Sequence, residues 1–293
     1  MFNLLISTVT QGLFWAILAL GVYITYRVLD VADLSVEGTF PLGAAVTASL
    51  ITVGVNPFLA LLAATIAGML GGAATGIFHT KLKIPALLSG ILTMIGMYSV
   101  NLRIMGKANL PMLGSDTVIT LVQGFGLSKS IASLLLGFIF VVAVAVWMYW
   151  FFGTELGMAI RATGFNPQMI RAQGVNTDQT IMVGLVLANG LVGLAGGFIA
   201  QNNGFADVGM GIGTIVIGLA SVIIGEVLFG VRSFKNSLIS VILGSVVYRM
   251  VIALVLQMGL KPDDLKLFTA LLVALALSMP LIQEKLRNRK GNV

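Results

Sequence analysis

Long apolar runs recur along nearly the whole sequence and constrain its fold more than any other feature. Most runs have about twenty residues, end near Gly, Pro or a charged residue, and are followed by a polar stretch. A helix needs roughly 20 residues to cross the hydrocarbon layer of a bilayer. Barrel strands would instead appear as alternating segments of about ten residues. The sequence therefore predicts an all-α, polytopic transmembrane helix bundle.

The runs predict about nine spans, within a range of roughly eight to ten. The second run is short, so it either crosses the membrane or re-enters from one side. Four-residue spacing of Gly68, Gly72 and Gly76, and of Gly193 and Gly197, indicates closely packed helices. The predicted spans are residues 4–26, 39–53, 57–78, 84–104, 129–152, 178–201, 210–229, 235–257 and 266–282.

Composition excludes several function classes. Only 10% of the residues are charged, whereas soluble proteins have about a quarter. A soluble catalytic domain of roughly 100–200 residues has no room beside the spans, so we expect one transmembrane domain over residues 1–293. The net charge of +6 is scattered over short loops, which argues against nucleic-acid binding. With no Cys and a single His, His79, we predict no metal site.

Positive charge predicts the orientation. With nine spans, one set of alternate loops and the C-terminal tail hold 11 of the 17 Lys and Arg residues, and the opposite set holds 5. Positively charged loops face the cytoplasm, which predicts a cytoplasmic C-terminus, a cytoplasmic loop at 153–177 and an external loop at 105–128. The N-terminus lies outside if 39–53 spans and inside if it re-enters. The richer set is Arg27, Lys81, Lys83, Arg161, Arg171, Arg232, Lys235, Lys285, Arg287, Arg289 and Lys290.

The 153–177 loop contains signals for a short helix. Asn166 can cap its first turn, Pro167 suits the first helical position, and Gly174 suits the left-handed turn that ends it. A two-turn helix is unstable alone in water. Its apolar residues, Met169 and Ile170, would therefore contact either the membrane interface or a groove on another protein.

Three segments in the same order resemble the permeases of bacterial ABC importers of the branched-chain amino acid and ribose type. In the loop they are Gly157, Ala159, Arg161 and Ala162, then Asn166-Pro167, then Gly174-Val175-Asn176. The first third contributes Ala19–Val22 and Asp33–Ala44, and the last third contributes Gly211–Gly213 and Ile223–Gly230. The Asn-Phe-Ala-His pattern of many branched-chain permeases is missing, and the chain resembles in particular the relatives linked to aromatic amino acid uptake.

The resemblance implies a type II importer fold, paired as a dimer, that moves a small polar solute such as an amino acid across the bacterial inner membrane. It implies ATPase subunits that bind ATP and Mg²⁺, a second permease subunit, and an extracytoplasmic binding protein that contacts the 105–128 loop. This chain itself would bind no cofactor. The ATPase-coupling role would fall on Glu155, Arg161, Asn166, Pro167, Met169, Ile170, Arg171 and Gly174.

The sequence has no nucleotide site of its own. Before Gly106-Lys107, Asn101 stands where a phosphate-binding loop needs its first Gly, and Ala108 follows where Ser or Thr would reach magnesium. We therefore expect a subunit without enzymatic activity. The alternative is a gradient-driven carrier or channel that works alone.

Polar residues inside spans are candidates for the translocation path. Tyr98, Asn101 and Asn189 either line it or form hydrogen bonds between helices. Arg249 is either functional or ties helices together. Its depth differs from that of Glu226 by roughly 15 Å, so the two are not expected to pair.

Overall fold

The structure is a computed structural model that describes residues 2–259, 267–271, 273–275 and 278. Its helices and strands follow one another along the chain with short connections. In order they are α1 (Phe2–Tyr23), a π-helical turn (Ile24–Val28), α2 (Val36–Thr52), α3 (Pro57–Thr80), α4 (Ala86–Met105), β1 (Asn109–Pro111), α5 (Val118–Gln123), α6 (Lys129–Phe151), α7 (Glu155–Phe165), α8 (Pro167–Ala172), α9 (Thr177–Asn203), β2 (Phe205–Asp207), a 3-10 turn (Val208–Gly211), α10 (Thr214–Phe229) and α11 (Phe234–Gln257).

Seven helices in the described part are long and apolar enough to cross a membrane. They coincide with seven of the predicted spans, which confirms the helical transmembrane class. Of the remaining two predictions, 39–53 corresponds to α2, which has 17 residues. The last, 266–282, is described only in part, as helical residues at 267–271, 273–275 and 278. The seven are Leu5–Val28, Pro57–Thr80, Ala86–Met105, Lys129–Phe151, Thr177–Asn203, Val208–Phe229 and Phe234–Gln257.

Helix α9 lies at the centre of the bundle, packed against α1, α2 and α3. Its contact with α3 is backbone to backbone: a Cβ at Gly68 would overlap the carbonyl oxygen of Asn189, and one at Gly72 would overlap that of Leu185. Small residues permit this approach, because any larger side chain would separate the helices. The glycine spacing thus predicted the packing correctly.

Helix α2 begins deep in the bundle. Ser35, just before its first turn, donates to Asn189, which lies near the middle of α9. At 1.5 Å per residue, the 17 residues of α2 rise about 25 Å from there to Thr52. The connection from α1 to α2 therefore passes into the interior of the bundle, where Asp33 and Ser35 are buried among helices.

The connecting segments lie at two ends of the bundle. The α7–α8 end carries α7, α8 and the connections after the π-helical turn, α3 and α10. The opposite end, which we call the sheet end, carries α5 and the strands β1 and β2. These strands pair antiparallel, with Leu110 opposite Ala206, and they are the only strands in the described residues. The sheet joins the 105–128 loop to the segment after α9, which the sequence did not predict.

Candidate functional site

The predicted helix in the 153–177 loop is present as α8. The Asn166 side chain accepts a hydrogen bond from the backbone N–H of Met169, 3.0 Å away, and Pro167 occupies the first turn. Gly174 has φ +87°, the left-handed conformation expected after the helix. The helix is not isolated, however, because the 11-residue α7 precedes it and ends at the same Asn166. The loop is therefore a pair of helices joined at one corner.

Helix α7 is anchored to three other parts of the bundle. A Cβ at Gly164 would overlap the carbonyl oxygen of Val28, so α7 lies directly against the π-helical turn. The Thr163 and Thr180 hydroxyl groups, 2.8 Å apart, join α7 to α9. The Arg161 guanidinium lies 4.7 Å from the ring centroid of Phe234 at the start of α11. Movement of α7 would therefore be transmitted to α1, α9 and α11 together.

Helix α8 is held against the first turn of α9. Ile170 is buried, with 6% exposure. The Arg171 side chain donates from Nε to the Thr177 hydroxyl, and its guanidinium lies 3.7 Å from an Asp178 carboxylate oxygen. Lys83 also contacts Asp178, at 2.7 Å. Of the two apolar residues predicted to make external contacts, Ile170 instead packs within the protein.

The corner between α7 and α8 presents apolar surface. Phe165 is 90% exposed and Met169 is 45% exposed, and Asn166, Pro167 and Gly174 are exposed beside them. Glu155 is also exposed, in the first turn of α7. Phe165 was missed from the sequence, because a Phe in an apolar-rich loop gives no sign of its exposure.

Two of the four predicted path residues line one cavity. Tyr98 and Asn101 on α4 face a cavity of about 350 Å³ between α2, α4 and the 3-10 turn. Tyr98 is 56% exposed, whereas Asn101 is fully buried and donates from Nδ2 to the carbonyl oxygen of Gly38. Glu37 on α2 lies in the same wall, with Oε1 accepting from the backbone N–H of Gly213 at 2.9 Å. Glu37 was not predicted, because the Asp33–Ala44 segment indicates the family but not which of its side chains faces a cavity.

Asn189 lies in a separate, fully buried cluster. Its Nδ2 donates to Asp33, 2.8 Å away, and its Oδ1 accepts from the Thr39 and Ser35 hydroxyls at 2.6 and 3.2 Å. All four residues are at most 2% exposed. These contacts fit the interhelical alternative for Asn189, since they join α9 to the start of α2.

Arg249 lies apart from both groups. Its guanidinium stacks 4.2 Å from the ring centroid of Trp15 on α1. Its buried Nε has no hydrogen-bond partner in the structure as described. Glu226 pairs with Arg27 and not with Arg249. This agrees with the expectation from the different depths of Glu226 and Arg249. The four residues predicted for one path are thus distributed over three places.

Comparison with known proteins identifies the family. Residues 4–278 match the family described as the branched-chain amino acid transport system, permease component. A tyrosine transport system permease protein from Clostridioides difficile is 40% identical over 269 residues, which is 92% of this chain and 88% of the relative. An uncharacterized protein from Rickettsia prowazekii is 34% identical over 94% of this chain and 97% of its own length.

A more distant relative and one solved structure also match this chain. The ribose import permease protein of Escherichia coli strain K12 is 27% identical over 67% of this chain and 59% of the relative. A solved ABC transporter chain of the metal-chelate type, in an inward-facing conformation, aligns with a TM-score of 0.54. It covers 96% of this chain and 85% of the solved chain at 14% identity, so that likeness is one of fold. Since the family match extends over nearly the whole sequence, this protein belongs to the branched-chain amino acid transport system permease family and is the membrane component of an ABC transport system.

Proposed function

We propose that this permease imports an amino acid with an aromatic side chain, powered by ATP hydrolysis on separate subunits. The substrate is inferred from the 40% identity to a tyrosine transport system permease. ATP and Mg²⁺ bind to the ATPase subunits in this proposal, and the permease contributes the path and the mechanical coupling. Residues 1–293 act as one transmembrane domain.

The observation that carries the ATP-driven part of this proposal is the corner between α7 and α8. Phe165 and Met169 present apolar surface there, although the corner is capped and anchored to α1, α9 and α11. An exposed aromatic residue on a rigid support suits docking into a groove of another protein. ATP binding would move the ATPases, and α7 would pass that movement to the spans.

The orientation in this proposal puts the α7–α8 end in the cytoplasm of a bacterium, with the C-terminus on the same side. Positive charge supports it. The sheet end, which carries the 105–128 loop, would then face outward and contact an extracytoplasmic binding protein. Among the described connections and helix ends, the α7–α8 end has Arg27, Lys81, Lys83, Arg161, Arg171, Arg232 and Lys235, and the sheet end has Arg103, Lys107 and Lys129.

A second copy of this chain completes the path in this proposal. Tyr98 and Asn101 line the α4 cavity of each copy, and Arg249 contributes through Trp15 or serves only to pack α11 against α1. Asn189 stabilises the helices that form the wall.

Reconstitution tests the proposal directly. Vesicles that contain the permease, its ATPase partner and its binding protein should accumulate labelled L-tyrosine when ATP is supplied, and the permease should co-purify with the ATPase. Uptake by the lone chain under an ion gradient would support the gradient-driven alternative instead. Accumulation that needs neither ATP nor a partner would overturn the proposal.

A further inference from the structure

The cavity between α2, α4 and the 3-10 turn has an unusual combination of walls. Apolar side chains form most of it, including Met94, Ile95 and Ile212. A carboxylate, Glu37, and a buried carboxamide, Asn101, lie in the same wall. A volume of about 350 Å³ falls within the range of roughly 300–1,000 Å³ that small-molecule sites occupy. The cavity is therefore large enough for one small organic solute.

Two side-chain acceptors of the wall, on Asn101 and Glu37, have no donor in the described structure. Asn101 is fully buried. Its Nδ2 donates to the carbonyl oxygen of Gly38, whereas its Oδ1 has no hydrogen-bond donor. Glu37 uses Oε1 to accept from Gly213, and Oε2 has no partner among the described residues. No Lys, Arg or His lines the cavity as described. The wall thus presents negative charge and acceptors without a protein cation to balance them.

Such a wall selects a cation that donates hydrogen bonds. A carboxylate in an apolar environment is costly unless a positive charge pairs with it. A primary ammonium group carries three N–H donors and no acceptor, so it supplies the positive charge that Glu37 lacks and the donor that the Asn101 Oδ1 lacks. The apolar residues and the Tyr98 ring would then contact the remainder of the solute.

We propose that this cavity is a binding site for the ammonium group of the transported solute, with the Glu37 carboxylate and the Asn101 Oδ1 as its acceptors. This inference rests on the proposed amino acid import, and it specifies which part of the substrate the permease recognises. Glu37 also caps the first turn of α10 through Gly213. The substitution Glu37→Gln separates these two roles, because glutamine keeps an acceptor oxygen for Gly213 and loses the charge.

The absence of cysteine from the sequence allows a direct test. Ser99 lines the cavity and is exposed, so Ser99→Cys introduces a single thiol there. The full chain in lipid nanodiscs is labelled with cationic 2-aminoethyl methanethiosulfonate or with the anionic 2-sulfonatoethyl reagent. Each rate is divided by the rate at Leu113→Cys, whose native side chain is 90% exposed in the 105–128 loop.

We expect the normalised preference for the cationic reagent to be about tenfold at Ser99→Cys, because the Glu37 carboxylate lines the same cavity and attracts the cation. Adding Glu37→Gln should reduce that preference to the reference value. Tyramine and L-tyrosine, which carry the amine, should slow labelling. The compound 3-(4-hydroxyphenyl)propionate, which has the ring and a carboxylate but no amine, should not.

Equal rates for the two reagents, or equal protection by the propionate, would overturn the inference. If Glu37→Gln does not fold, Asn101→Leu takes its place, and protection by tyramine should then fall at least severalfold. Retained protection in Asn101→Leu would also overturn it. Labelling does not depend on ATP, so amine-selective protection without ATP-driven uptake would refute the proposed function and leave the site standing. ATP-driven tyrosine uptake, without a preference for the cationic reagent at Ser99→Cys, would overturn the inferred site and leave the proposed function standing.

Discussion

Arg27 and Glu226 form a two-point ion pair, with Nε to Oε1 at 2.8 Å and Nη2 to Oε2 at 2.9 Å. The pair joins the π-helical turn after α1 to the last turns of α10, at the α7–α8 end. The Arg27 side chain is 52% exposed and that of Glu226 is 12% exposed. A cavity of about 590 Å³, lined by Arg27, Arg161 and Phe165, opens beside it. The pair therefore fixes two spans close to the surface proposed for ATPase docking.

Loss of this pair should be measurable but small. Because Arg27 is half exposed, solvent screens the interaction, and we expect Glu226→Gln to lower the free energy of unfolding by about 1 kcal/mol. The midpoint of thermal unfolding in detergent measures it. Arg232→Ala removes an exposed cation at the same end and should have no effect. The exchange Arg27→Glu with Glu226→Arg should restore part of the loss, and a loss unchanged by the exchange would contradict the pair's contribution.

The α7–α8 corner should separate docking from folding. Phe165→Ala and Met169→Ala remove exposed apolar contacts, so we expect weaker ATPase association by roughly tenfold or more, with an unchanged unfolding midpoint. Ile170→Ala should behave differently, since Ile170 is buried and its truncation costs about 2 kcal/mol or more. Pull-down of the ATPase and thermal unfolding distinguish the two classes. Normal ATPase binding by the Phe165→Ala, Met169→Ala double variant would argue against docking at this corner.

Arg171→Glu should uncouple ATP hydrolysis from uptake. The chain should still fold, because the Arg171 side chain is 60% exposed. It donates to Thr177 and faces Asp178, so a glutamate there would repel the first turn of α9. The measurement is the ratio of ATP hydrolysed to solute accumulated. Lys83→Ala also removes a cation from Asp178 but leaves α8 bonded to Thr177, and it should change this ratio less. An unaltered ratio in Arg171→Glu would favour a purely structural loop.

Two glycines offer a matched test of helix packing. A Cβ at Gly68 would overlap the Asn189 carbonyl oxygen, whereas a Cβ at Gly96 would meet nothing within 4 Å. We expect Gly68→Ala to destabilise the bundle by about 1–3 kcal/mol, because α3 and α9 must separate. Gly96→Ala should be neutral or stabilising by up to about 1 kcal/mol, since alanine favours a helix. Similar unfolding midpoints for both variants would contradict the close approach.

The buried Asn189 cluster should be needed for folding. Asn189→Leu would leave Asp33 and the Thr39 hydroxyl without their shared partner, and each buried group left unpaired costs about 1–3 kcal/mol. We expect poor yield and an early thermal transition in detergent. Asn203→Ala, an exposed position at the end of the same helix, is the control. A stable Asn189→Leu variant with altered uptake would instead place this residue on the path.

Features that depend on neighbouring residues could be predicted from the sequence. Apolar runs of about twenty residues determine where helices form, because a backbone in lipid must satisfy its hydrogen bonds within the segment. Asn166, Pro167 and Gly174 determine the bounds of α8 by local capping. The spacing of Gly68 and Gly72 marked the α3 face that packs closely. Resemblance in three segments indicated the family, which the comparison confirmed.

Only the tertiary structure decided which distant residues meet. Glu37 and Asn101 share a cavity although they lie on different helices, and Arg27 and Glu226 are 199 positions apart. The two strands pair although five helices, α5 to α9, lie between them in the sequence. The same apolar residue types occur on every face of the helices. Hydropathy therefore does not distinguish a face that is buried in the bundle from one that lines a cavity or one that contacts another protein. Those choices follow from helix packing, where close approach and paired polar groups together select one arrangement.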